Sequence, residues 1–223
     1  MTPKICVCLT EKSVGGCIEV SSRVNADLVE HRMDFMGKIE GLSRIYAALN
    51  TPVIATNRPV RSGGHFNGGE EERIDRLLDA IDAGCELVDV EIDAPTSLKE
   101  VLLKHARKKN CKVMISMHDH EKTPSTEELL EVLTEEKEQG GDMGKVVTFA
   151  RSIDDCHRVL DLILEANRIK FPLVAFTMGT LGKFTRVVAP FYGAPFTYAS
   201  FNKKAEESQI DVKTLRRIYE ELK

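Results

Sequence analysis

The sequence has no apolar run near the roughly 18 residues of a membrane-spanning helix, which excludes a helical membrane protein as its expected class. It has no excess of one charge. Its 31 basic and 35 acidic residues are mixed along the chain and sum to −4, which argues against nucleic acid and charged membrane surfaces as partners. It has no Cys-x-x-Cys pair; the six cysteines at 6, 8, 17, 85, 111 and 156 lie mostly in or beside apolar runs. The expectation is reduced core thiols in a cytoplasmic protein, with Cys6 and Cys8 on one face of a strand. Nothing resembles a signal peptide, since Met1-Thr2-Pro3-Lys4 leads straight into a strand-like run. The chain also lacks an evident linker or low-complexity segment.

What is present is an alternation. The 223 residues suffice for one sizeable core, and 1–223 reads as a single catalytic domain. Strand-like runs fall at 4–9, 27–32, 52–57, 86–92, 112–118, 144–150, 172–178 and 195–201. Helical patterns fall between them, at 19–26, 38–49, 70–83, 96–109, 125–139, 152–169 and 185–192, with a closing one at 212–222. Ser97 is a candidate cap for the fourth helix, and Ser125 with Glu128 forms a capping box for the fifth. Eight β/α units with apolar strands imply a parallel sheet covered on its outer face, and the expected fold is a TIM (β/α)8 barrel. A doubly wound open sheet is the competitor. It calls for a glycine-rich phosphate turn after the first strand, where this chain has Thr10-Glu11-Lys12-Ser13.

In such a barrel the C-terminal strand ends share one mouth. The second strand brings Glu30 and Arg32, two apart and on one face; either this pair is an ion pair or it faces a ligand. The third brings Arg58, the fifth His118, the sixth Lys145, and the loop after the seventh Arg186. Lys145 sits low in its run, and its apolar stem can carry the amine upward. A lysine inside an apolar run is costly to bury charged, so its pKa is expected to fall toward the neutral, nucleophilic amine. With a histidine on the adjacent strand, that suggests imine chemistry on a ketone. Arg32, Arg58, Arg186 and Lys145 against Glu30 give a positive tilt that points to a small anionic substrate.

These residues resemble type I 3-dehydroquinate dehydratase, the Schiff-base enzyme of the shikimate pathway. The likeness rests on Glu30-His31-Arg32, Thr56-Asn57-Arg58 with Gly63-Gly64, Ser116-Met117-His118-Asp119 with Thr123-Pro124, Lys145, and Thr185-Arg186. It implies that Lys145 forms the imine and His118 shuttles protons. It assigns Glu30, Arg32 and Arg58 to the substrate's hydroxyls and ring, Arg186 to its carboxylate, and Gln209 to the lid after the eighth strand. It implies 3-dehydroquinate as the small-molecule partner, a homodimer, and no metal or organic cofactor.

Two departures stand out. The family usually has a glutamate before the double glycine, where it helps to orient the histidine. This chain has Ser62, so a carboxylate restored there is expected to raise turnover. The family's lid often reads Ser-Ala-Pro-Gly-Gln; here Lys204-Ala205-Glu206-Glu207-Ser208-Gln209 keeps only the glutamine clearly. Two other readings remain open. One is a class I aldolase using Gly179-Thr180-Leu181-Gly182 as a phosphate nest. The other is a non-catalytic binder of dehydroquinate or quinate, suggested by Ser62.

Overall fold

Alternation of apolar strand and amphipathic helix is what builds the structure. In this computed structural model, residues 2–37, 39–201 and 208–222 are described. Eight strands follow in order: β1 (Ile5–Leu9), β2 (Leu28–Arg32), β3 (Val53–Thr56), β4 (Leu87–Glu91), β5 (Lys112–His118), β6 (Met143–Phe149), β7 (Leu173–Met178) and β8 (Thr197–Ala199). Each pairs in parallel with its neighbours in the order β7-β6-β5-β4-β3-β2-β1-β8. The last strand returns beside the first, so the sheet curls into a nearly closed TIM barrel. Outside it run α1 (Val14–Ser21), α2 (Leu42–Ala48), α3 (Glu70–Asp82), α4 (Thr96–Lys109), α5 (Thr126–Glu138), α6 (Ile153–Arg168), the single turns α7 (Gly179–Gly182) and α8 (Thr185–Val188), and α9 (Val212–Glu221).

Strand periodicity divides the core in two. Outward residues such as Val29, Ala55, Val88 and Ile115 pack against the helices. Inward residues such as Cys6, Ile54, Leu87, Met114 and Phe196 fill the interior as an apolar floor. Polar residues follow two and four positions later along the same strands, as Asp89 and Glu91 follow Leu87 on β4. All six cysteines are buried free thiols. Among the described residues, no helix is long and apolar enough to cross a membrane.

Several expected boundaries move, for local reasons. The first helix lies at Val14–Ser21 rather than 19–26, because Ser13 caps it by accepting from the Gly16 amide at 3.2 Å. The second begins at Leu42, after Gly41 at φ 70. Ser97 caps nothing: α4 starts at Thr96 directly after Pro95, with no side-chain cap. The helix expected over 185–192 divides into α8 and a 3-10 turn, Ala189–Tyr192, because Pro190 has no amide to continue the α ladder. The Ser125–Glu128 capping box is present, and a second forms between Ser152 and Asp155 at the start of α6.

Candidate active site

All seven candidate residues, Glu30, Arg32, Arg58, His118, Lys145, Arg186 and Gln209, line one cavity of about 250 Å³ inside the barrel. The local sequence explains how they arrive there. Lys145 pairs in register with Ser116, and Val147 with His118, so the lysine starts one inward layer below the histidine. The long stem then carries Nζ across the barrel to Glu30 Oε1 at 3.0 Å and Asp89 Oδ2 at 3.1 Å. Thr123 ties the loop after β5 to the lysine's own strand, meeting Thr148 Oγ1 at 2.8 Å and the Phe149 carbonyl at 2.9 Å. Gly64 lets the loop after β3 fold back on Arg58, since a Cβ there would collide with the Arg58 carbonyl. Thr185 accepts from the Thr177 amide at 3.0 Å and donates to the Gly182 carbonyl at 2.7 Å, which fixes the turn carrying Arg186.

The lysine is also held from behind. Glu136 on α5 is fully buried, and its Oε1 accepts from the Lys145 backbone amide at 3.2 Å. Burial pushes its carboxyl well above the usual range. Its Oε2 has no hydrogen-bond partner among the described residues, and it occupies the place a side chain at Gly144 would need.

Three contacts correct the expectations drawn from sequence. Glu30 and Arg32 are not each other's partners: Glu30 meets Lys145, and Arg32 makes a two-pronged bond to Asp34 at 2.8 Å on each arm. Lys145 Nζ ends among acceptors, not among apolar groups. The expected positive tilt also disappears. Among the described residues, Lys145, Arg32 and Arg58 face Glu30, Asp34, Asp89 and Glu91 in direct ion pairs. Arg186 is buried; its guanidinium lies 4.0 Å from the Phe176 ring centroid and Nη2 donates to Ser208 Oγ at 3.3 Å. Gln209 is buried with Nε2 3.8 Å from Cys8 Sγ. The lid positions 204–207 lie outside the described residues.

The carboxylate beside the histidine comes from β4. His118 Nδ1 lies 3.3 Å from Glu91 Oε2, while Arg58 Nη1 stands 3.5 Å from the same nitrogen. Arg58 also donates to Glu91 Oε1, to Ser116 Oγ at 2.8 Å and to Asp89 Oδ2 at 2.6 Å. An Nδ1–H donated to Glu91 leaves the Nε2 lone pair available as a base. Burial first, then Arg58 and Lys145, hold His118 well below the usual imidazole value, so it is neutral at pH 7. Burial alone would raise Glu30, but Lys145 and then Arg32 outweigh it and bring the carboxyl down to about 2. Ser62 therefore does not leave His118 without a carboxylate, and the binder reading loses its ground. His65 turns instead to Asp34, at 3.5 Å. Gly179 to Gly182 form a single helical turn after β7.

Asp89, Glu91 and Tyr198 were missed from sequence, and Ser116 was named only as part of a motif. The signal for two of them was present in Leu87-Val88-Asp89-Val90-Glu91, where carboxylates alternate with valines and so share the inward face. Tyr198 gave none, since an inward tyrosine on an apolar strand reads as core.

The sequence profile described as Type I 3-dehydroquinase matches residues 5–223. The chain belongs to that family. It is 35% identical over 228 residues to the 3-dehydroquinate dehydratase of Methanothermobacter thermautotrophicus, covering 100% of this chain and 98% of that protein. It is 32% identical over 210 residues to that of Methanosarcina barkeri, covering 90% and 87%. The solved type I 3-dehydroquinate dehydratase of Clostridium difficile superposes with a TM-score of 0.91 at 25% identity, covering 99% of this chain and 92% of that one.

Proposed function

We propose that the protein is a hydro-lyase that converts 3-dehydroquinate to 3-dehydroshikimate and water through an imine on Lys145. The observation that carries this reading is the Lys145 amine in a buried cavity with a neutral, carboxylate-held His118 on the neighbouring strand. The substrate is a β-hydroxy ketone bearing a carboxylate. Lys145 Nζ attacks the ketone carbon, and the ketone oxygen leaves as water. The protonated imine is an electron sink, so the adjacent C–H becomes acidic enough for an imidazole. His118 removes that proton, the enamine expels the β-hydroxyl, and His118 returns the proton to the departing oxygen. Water then hydrolyses the imine and frees Lys145. Arg186 is assigned to the substrate carboxylate, with Glu30, Arg32, Arg58 and Gln209 toward its ring and hydroxyls.

Borohydride reduction in the presence of 3-dehydroquinate tests the reading. A mass increase mapped to Lys145 and absent from Lys145→Ala supports it. An adduct on another lysine, such as Lys183, or none with full turnover, rejects it. A homodimer in the cytoplasm, serving the shikimate pathway, belongs to the same proposal; light scattering and cell fractionation check the first two, and rescue of an aromatic auxotroph checks the third.

A further inference from the structure

Tyr198 is buried on β8 with its side chain in the apolar interior, between the rings of Phe176 and Phe196. Its hydroxyl is not used by those neighbours. It lies 3.3 Å from Lys145 Nζ and 3.2 Å from Glu30 Oε1, and Nζ stands 4.6 Å from the centroid of its ring. The three polar partners of Nζ thus come from three strands: Glu30 from β2, Asp89 from β4 and Tyr198 from β8.

We propose that Tyr198 is a further catalytic residue, whose hydroxyl carries away the proton Lys145 must lose before it attacks a carbonyl. This rests on the imine reading above and adds to it a group for the first half of the reaction. An ammonium has three N–H bonds, and here each faces an acceptor. Two of the acceptors are carboxylates, which hold their protons by charge as well as by hydrogen bonding. The third is a phenol oxygen that itself donates to Glu30, so a proton leaving Nζ on that side passes through the hydroxyl to the carboxylate. Tyr198 is also the only one of the three that has a proton of its own to pass on. Burial, then Glu30, pushes the phenol well above its ordinary value, so the hydroxyl stays protonated and donates to Glu30.

The step balances. The proton on Nζ moves to the Tyr198 oxygen as the Tyr198 proton moves to Glu30 Oε1. The ammonium becomes an amine, Glu30 becomes a carboxylic acid, and the tyrosine ends unchanged. The neutral amine then turns its lone pair into the cavity that Lys145 lines. Attack on the ketone carbon forms the C–N bond, and Glu30 returns its proton to the ketone oxygen; Glu30 then takes one of the two protons left on nitrogen and passes it to the same oxygen, which leaves as water as the protonated imine forms.

Tyr198→Phe keeps the ring and its packing and deletes only the hydroxyl. Rapid-quench borohydride trapping measures adduct formation on Lys145. In the variant it should slow roughly tenfold, about the value of one hydrogen bond to a charged group. KM should stay within about twofold. The isotope effect from deuterium at the carbon His118 attacks should fall toward one, because imine formation becomes limiting. A trapping rate equal to wild type, or an unchanged isotope effect with a raised KM, would overturn the assignment. Should wild type form no adduct with 3-dehydroquinate at all, the functional reading fails by itself. Glyoxylate then serves as a carbonyl probe of Lys145: slower modification in Tyr198→Phe supports the proton path, and equal rates reject it.

Discussion

Replacing Glu91 by glutamine keeps the size of the side chain and removes the charge that faces His118. In the native site Nδ1 has a carboxylate at 3.3 Å and a guanidinium N–H at 3.5 Å, so the carboxylate decides which tautomer is favoured. Without that charge, Arg58 and the new amide can both donate to Nδ1. The ring proton then moves to Nε2, and the nitrogen that should act as base becomes a donor. A hydrogen bond to a charged group is worth about 1.5–3 kcal/mol, so the working tautomer is depopulated, and kcat lowered, by roughly 10- to 150-fold. Arg58 keeps Asp89 and Ser116, so the fold should hold. The assay is turnover, followed by the ultraviolet absorbance of the conjugated product, beside borohydride trapping on Lys145. Adduct should accumulate while product does not. Turnover within about twofold of wild type, or trapping lost in proportion to turnover, would refute the claim that Glu91 works through the histidine.

His118→Ala should lower kcat by the roughly 10²–10⁴-fold of a lost general acid–base while Lys145 still traps substrate, as measured by product against adduct. Arg186→Ala should raise KM more than it lowers kcat; an unchanged KM in steady-state kinetics would take the carboxylate away from Arg186. Ser62→Glu should leave kcat unimproved, because His118 already has Glu91; a higher kcat with the acidic limb of the pH profile moved upward would return the role to position 62. His31 is held at about 4, below its ordinary 6.5, chiefly by burial. The unfolded chain therefore binds the extra proton first, and stability is lost as pH falls from 6.5 toward 4, by roughly 3 kcal/mol at most. Thermal melts of His31→Phe should show a flatter Tm in that window than wild type.

The barrel was legible because its signal is repetition, and an error in one unit leaves seven others intact. The first helix was misplaced by five residues at its start, yet the strands on either side kept their order. Lys145, His118 and Arg186 were picked out because an ionisable side chain in or just beyond an apolar strand is conspicuous. Their partners were harder to find, since which carboxylate meets which cation depends on how strands far apart in sequence face across the barrel. Lys145 and Glu30 are 115 residues apart, and Arg58 and Asp89 are 31 apart. The carboxylate beside His118 comes from Glu91 and not from position 62, and a linear reading cannot tell which side chain arrives first. Tyr198 was invisible because its ring belongs to the core and only its oxygen belongs to the site.

The buried acid behind the lysine restricts how this sequence can change over time. At position 144 only hydrogen leaves room for Glu136, and Phe171 and Leu173 close the remaining sides. A methyl gained at 144 while Glu136 stands would drive into its carboxyl and disturb the backbone amide from which Lys145 extends. Shortening residue 136 first opens the path, and the reverse order meets a barrier. Descendants should therefore not carry a side chain at 144 beside a glutamate at 136, and a graft of the glutamate alone into a relative with a side chain at 144 should cripple the lysine without touching it.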